Sequence, residues 1–292
     1  MGPAIKGFER WHGVGYAFLV THKDPEGSER RIVFDLGLPK DWENDFSPPV
    51  IEAGKGLGAI MTAEKYVSEI LTENGVDLGV SKHCSGASLI VGPGVKQAYF
   101  PGWPAVLDAP VLAREFQGRE VRELDFSTAD LEIGGLKALD YFGDGSFYLL
   151  SAPGHAVGHV NALARTSGTA SSTSRATRST TAPCYDRTPQ GPRAGGRRRG
   201  RDCVPYDPET PEGETLLALD VREARETLAA VKRFDASPDV FVVAAHDDSL
   251  HGVMEYFPKG ANEWKRKGWK ESGKWLFLKD LEKPLKVAGV SV

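Results

Sequence analysis

The run Phe147-Tyr-Leu-Leu-Ser-Ala-Pro-Gly-His155-Ala-Val-Gly-His159-Val160 constrains the fold more than any other stretch of this chain. An apolar segment enters a turn of proline and glycine and a second apolar segment leaves it, so the spacing predicts strand, tight turn, strand with His155 at the tip. Glycines at 154 and 158 open backbone angles closed to other residues, which lets an imidazole be held at a strand end rather than on a wandering loop. That placement suits a metal ligand. A zinc site takes three or four ligands, however, and this chain has seven histidines and three cysteines from which to draw them.

The surrounding pattern alternates strands and helices. Gly15 to Val20 and Ile32 to Phe34, separated by a charged turn, predict a hairpin that ends at Asp35-Leu-Gly37. Thr62 is the expected cap of a helix with Val67, Ile70 and Leu71 on one face and Asn74-Gly75 as its stop. Short strands are expected over 88–91, 119–124, 137–142, 146–152 and 160–165, most of them divided by Gly, Asp or Pro turns. Asp220 and Glu223 predict a capping box for a helix with Val221, Ala224, Leu228 and Val231 on one face. A buried strand over 240–245 follows, ending at His246, and then a tail carrying Trp264, Trp269 and Trp275. Strands, helix, strands, helix and strand predict an α+β fold of two sheets with helices outside.

Ser167 to Cys203 interrupts this order. It contains no Val, Leu, Ile, Met, Phe or Trp and holds eight arginines against two aspartates, so it cannot supply a core and is expected to be disordered. The expected organisation is therefore one domain over 1–292, broken by segment 167–203. The formal charge of −4 hides a local excess of six positive charges in that segment. Arginines 193–201 are the one place where nucleic acid could bind through its phosphates; the rest of the chain offers it no attraction, and a solvated segment is the expectation. Three scattered cysteines make no disulfide framework. No run approaches the ~20 apolar residues of a membrane span, and a cytoplasmic protein without membrane partners is expected.

Ala152-Pro-Gly-His155-Ala-Val-Gly-His159, with Phe34-Asp-Leu-Gly37 after the hairpin and Ala245-His246-Asp247 after the late strand, resembles the metallo-β-lactamase superfamily. Val91-Gly-Pro-Gly94, Tyr99-Phe-Pro-Gly-Trp-Pro104 and Phe142-Gly-Asp-Gly-Ser-Phe-Tyr148 are similar, more narrowly, to its fungal lactonase and lactamase-type hydrolases. The resemblance covers roughly 10–78, 88–166 and 204–285. It implies an αββα sandwich of two mixed sheets with helices on the outer faces and a one- or two-zinc site at one edge. It implies also a small lactone, lactam or thioester substrate, and it is compatible with a homodimer. Zinc would lower the pKa of a bound water to ~7 and polarise the carbonyl, so no protein nucleophile is required. Carried onto this chain, the resemblance makes His155 and His246 metal ligands, His159 a supporting rather than ligating residue of the same turn, and Asp35 a structural aspartate near the site.

Two parts of the family pattern are missing. The signature His-x-His-x-Asp-His should stand between the helix ending near Asn74 and the strand at Ser88, where this chain has only Gly75-Val-Asp-Leu-Gly-Val-Ser-Lys-His83-Cys84-Ser-Gly-Ala87. The aspartate that would bridge two metals should lie on a strand some twenty residues after the Pro-Gly-His turn, inside the Arg, Ser and Thr-rich segment. His83 and Cys84 are the sole nearby substitutes, and adjacent residues rarely converge on one ion. The expectation is a zinc-dependent hydrolase with impaired catalysis, or else a catalytically inactive relic or binding protein of the same fold. Both losses fall in blocks while their flanks keep family character, a pattern that a shifted reading frame or misplaced splice junction produces.

Overall fold

The computed structural model describes residues 12–76, 87–166, 175–179 and 218–287. In chain order the elements are β1 (Phe18–Lys23), β2 (Glu29–Phe34), α1 (Trp42–Asp45), α2 (Pro48–Gly56), α3 (Val67–Glu73), β3 (Leu89–Val91), α4 (Val95–Tyr99), β4 (Val121–Glu123), β5 (Glu132–Ile133), β6 (Leu136–Asp140), β7 (Phe147–Ser151), β8 (Val160–Arg165), β9 (Arg175–Ser179), α5 (Val221–Ala236), β10 (Val240–Ala244), α6 (Trp269–Gly273) and α7 (Glu282–Val287). The strand, turn, strand expected around His155 is β7 and β8, paired antiparallel with Leu150 opposite Asn161. The N-terminal hairpin forms as well, with Phe18 opposite Phe34.

One six-stranded sheet, ordered β10-β9-β8-β7-β6-β5, organises the molecule. It is mixed: β10 runs parallel to β9, and the other neighbours are antiparallel. Period-2 alternation divides its side chains between two cores. Leu136, Ala138, Leu150, Leu163, Val240 and Val242 pack under Ala230, Val231 and Phe234 of α5. On the opposite face Phe147, Leu149 and Ala162 meet Leu124 and Phe126, with Val20, Ile32 and Phe34 of the hairpin and Ile90 of β3 against them. A third core joins Phe241 and Val243 of β10 to Tyr16, Leu250, Trp264 and Trp269.

The α+β class is as expected, and a second layer packs on the large sheet. Among the described residues it consists of the β1-β2 hairpin and a separate parallel pair, β3-β4. The two pairs share no ladder; their apolar side chains in the middle core hold them to the large sheet.

Helix ends differ from expectation in instructive ways. Tyr66, not Thr62, is the N-cap of α3, and its backbone N–H donates to Glu69 Oε2 at 2.8 Å. The stop at Asn74-Gly75 is as expected, Gly75 taking a φ of 75°. For α5, Asp220 accepts from the Glu223 N–H at 2.8 Å, as the sequence pattern predicts. Its buried face is Thr227, Ala230, Val231 and Phe234; of the expected face Val231 is buried, while Val221, Ala224 and Leu228 are only half-buried, so the helix is rotated part of the way from the expected face. The unanticipated α2 had a legible signal in Ser47-Pro48-Pro49, a cap residue followed by prolines in the first turn.

Segment 167–203 was expected to lack structure. Residues Arg175–Ser179 depart from that expectation by forming β9 inside the large sheet, between β8 and β10. An extended five-residue backbone can complete a ladder through its N–H and C=O groups whatever its side chains. The rest of the segment, the arginines 193–201 included, lies outside the described residues, as do His83 and Cys84. Among the described residues no helix is long and apolar enough to cross a membrane. Trp264 and Trp269 are core residues, while Trp275 is 41% exposed.

Candidate metal centre

The strand directions set the candidate site. β7 and β8 are antiparallel, β8 and β9 antiparallel, β9 and β10 parallel, so the C-terminal ends of β7, β9 and β10 share one edge of the sheet. His155 lies four residues beyond the end of β7 and His246 two beyond the end of β10. The topology therefore delivers both histidines to one edge, from strands three spacings or about 14 Å apart. β9 ends between them, with Ser179 opposite Ala244.

The His155 turn is clamped from two sides. From the two residues before α5, the N–H of Asp220 donates to Gly154 O at 2.9 Å and that of Leu219 to His155 O at 3.3 Å, while from α5 itself Thr227 Oγ1 donates to Pro153 O at 2.8 Å. Gly154, with φ at 109°, lies so close to the helix that a Cβ would stand 2.1 Å from Ala224 N. From the other side comes Gly92-Pro-Gly94: a Cβ on Gly92 would meet the Gly158 carbonyl oxygen at 1.9 Å. Glu123 anchors that second loop by accepting from the Gly94 N–H at 3.0 Å and the Lys96 N–H at 2.8 Å. Those bonds, the one from Lys96 foremost, keep its carboxyl below the usual carboxylate range.

Within the turn His159 is edge-on to His155, with ring centroids 5.2 Å apart, and its Nδ1 lies 2.8 Å from the Ala152 carbonyl. A carbonyl oxygen only accepts, so Nδ1 carries the proton and, in the neutral ring, Nε2 carries the lone pair. The same tautomer is set at His246, whose Nδ1 donates to Val14 O at 2.9 Å. Asp35 takes a left-handed φ of 65°, which Asp tolerates better than most residues, and its Oδ1 accepts from the Gly37 N–H at 2.9 Å. That turn packs on Gly15, where a Cβ would stand 2.9 Å from Leu38 N, and Gly15 follows the Val14 whose carbonyl binds His246. The geometry around Asp35 is therefore that of a support two contacts removed from the imidazole.

Sequence reasoning missed Thr227 and Glu123 as parts of this frame. Thr227 had a signal, a lone hydroxyl in an otherwise apolar helical period; Glu123 had none, because its partners are distant in sequence.

A zinc ion does not fit the donors described. Among the described residues no group of three or more His, Cys, Asp or Glu side chains could hold a metal, and two imidazoles fall short of the three protein ligands that catalytic zinc generally takes. The strand between the two histidines, Arg175-Ala-Thr-Arg-Ser179, contains no acidic residue.

No family model matches the chain. It is 35% identical to gamma-lactamase FDB1 of Fusarium pseudograminearum over 95% of this chain and 77% of that protein. To metallo-hydrolase mfmC of Annulohypoxylon moriforme it is 34% identical, over 95% of this chain and 81% of the relative. It also matches cytochrome P450 monooxygenase mpaDE of Penicillium roqueforti at 33% identity, over 96% of this chain but only 35% of that longer protein. The alignment with FDB1 runs over 318 positions, whereas 95% of 292 residues fills about 277 of them. That relative therefore carries roughly forty residues, within the shared region, for which this chain has no counterpart.

Proposed function

This chain belongs to the metallo-β-lactamase superfamily, and we propose that it derives from a zinc-dependent hydrolase of small cyclic amides or esters whose catalysis is impaired in the form encoded here. The observation that carries this reading is the make-up of the site edge. Its frame is built, with His155 and His246 just beyond the ends of strands β7 and β10, yet β9 between them has no carboxylate and the interval from α3 to β3 has no His-x-His-x-Asp-His. The relatives named gamma-lactamase and metallo-hydrolase support the amide or ester class. The roughly forty residues that FDB1 carries beyond this chain within the shared region support a loss of sequence in this chain.

Zinc analysis of the full chain, expressed in zinc-replete medium, tests the proposal. The expected result is below ~0.1 equivalent of zinc, with no zinc-dependent rise in Tm, since an ion that binds only the native state must raise apparent stability. One equivalent of zinc together with turnover of a γ-lactam or lactone would overturn it. The block-wise loss has its own test in the transcript: codons for 75–88 and 166–204 that differ from the present sequence support altered coding, and identical codons reject it.

A further inference from the structure

We infer that Tyr16 is a positioning residue for the site, a latch that sets the orientation of the His246 imidazole. His246 lies in the short connection after β10, where the backbone has left the ladder. Tyr16 grips that connection on both sides of the histidine: its N–H donates to Ala245 O at 3.4 Å and its hydroxyl to Asp247 O at 2.8 Å. Two residues earlier, Val14 O accepts from His246 Nδ1. One segment, 14–16, thus contacts the backbone before His246, its ring, and the backbone after it.

The latch is itself fixed. The Tyr16 side chain is 6% exposed and packs with Phe241, Val243, Leu250, Trp264 and Trp269. It stacks on Tyr256 with ring centroids 6.4 Å apart and an interplanar angle of 15°. Burial, and then the neighbouring Tyr256, push its phenol well above the ordinary tyrosine range, so the hydroxyl stays a donor. Asp247, 3% exposed, adds rigidity downstream by accepting from the Ser249 N–H at 3.1 Å. Because the carbonyl of Val14 sets the ring flip and the tautomer, Nε2 is presented in one direction before any ligand arrives.

This inference rests on the proposed reading only in taking His246 as a site residue, and its test does not need metal. In the unmutated full chain the Tyr16 hydroxyl proton and the His246 Nδ1 proton should both be observable by NMR and exchange slowly with water. Tyr16→Phe removes one hydroxyl and leaves the ring packed. It should speed exchange of the His246 ring proton ~5-fold or more, as loss of a hydrogen bond worth ~1 kcal/mol implies, and leave that of His159 unchanged. An unchanged His246 proton in Tyr16→Phe, equal acceleration at His159, or a rapidly exchanging Tyr16 hydroxyl in the unmutated chain would each overturn the assignment. Zinc content bears on the ancestry of the site; ring-proton exchange bears on Tyr16.

Discussion

The corner that carries His155 and the corner that carries His246 lie on one edge of one sheet, but they are held by different means. The first is backbone against backbone: Gly154 on Ala224, Gly92 on Gly158, amides of residues 219 and 220 on the carbonyls of 155 and 154. The second is built from aromatic side chains, Tyr16, Phe241, Trp264 and Trp269, around a loop that Tyr16 grips. Close backbone contact leaves no room for a side chain, whereas an aromatic core can lose a polar atom and keep its shape. The first corner should therefore fail abruptly and the second by degrees.

Substitutions ranked by effect sharpen that contrast. Gly154→Ala should be the most damaging, costing at least about 4 kcal/mol in urea unfolding, because the new Cβ meets backbone and φ is left-handed. Trp264→Ala, at a fully buried position, should cost about 3–4 kcal/mol in the same measurement through the cavity it leaves. Gly15→Ala should cost about 2 kcal/mol, since its Cβ would stand 2.9 Å from Leu38 N with no left-handed strain. If Gly15→Ala equals Gly154→Ala, the contrast between the corners fails. Thr227→Val, which keeps shape but leaves Pro153 O without its hydroxyl donor, should cost roughly 1–2 kcal/mol and be rescued by Thr227→Ser.

The opposite edge of the sheet supplies a control. Asp144, in the turn before β7, accepts from the Ser146 hydroxyl at 2.5 Å and pairs with His22 Nε2 at 2.9 Å, and these partners pull its carboxyl down to about 2. A depressed carboxyl contributes stability above its unfolded value of about 4 and loses that contribution as pH falls toward 2. Asp144→Asn should therefore lower Tm slightly at pH 7 and not at pH 2. The effect should stay well under about 1 kcal/mol because the side chain is 47% exposed and solvent screens it.

Much of the frame was legible in the chain itself. Periodicity located β7, β8 and β10, the Asn74-Gly75 stop and the Asp220 cap, because each depends on residues within a few positions of one another. Val160–Arg165 matches its expected strand end to end. The rotation of α5 about its axis was not legible: Val221, Ala224 and Leu228 look as apolar as Ala230 and Phe234, and the helix turns to the sheet the face that carries Ala230, Val231 and Phe234. β9 was illegible for the opposite reason. Its side chains resemble a solvated segment, and only the gap between β8 and β10 gives its backbone somewhere to pair.

The sequence by itself determined which chemistry is present and which is missing. A glycine-set histidine, a late histidine and the absence of His-x-His-x-Asp-His are facts of composition and order that no folding can alter. Only the tertiary structure decided that His155 and His246 share an edge, that β9 ends between them, and that Tyr16 grips the loop around His246. Those relations join residues up to 231 positions apart, and strand direction and packing, which no local pattern encodes, bring them together.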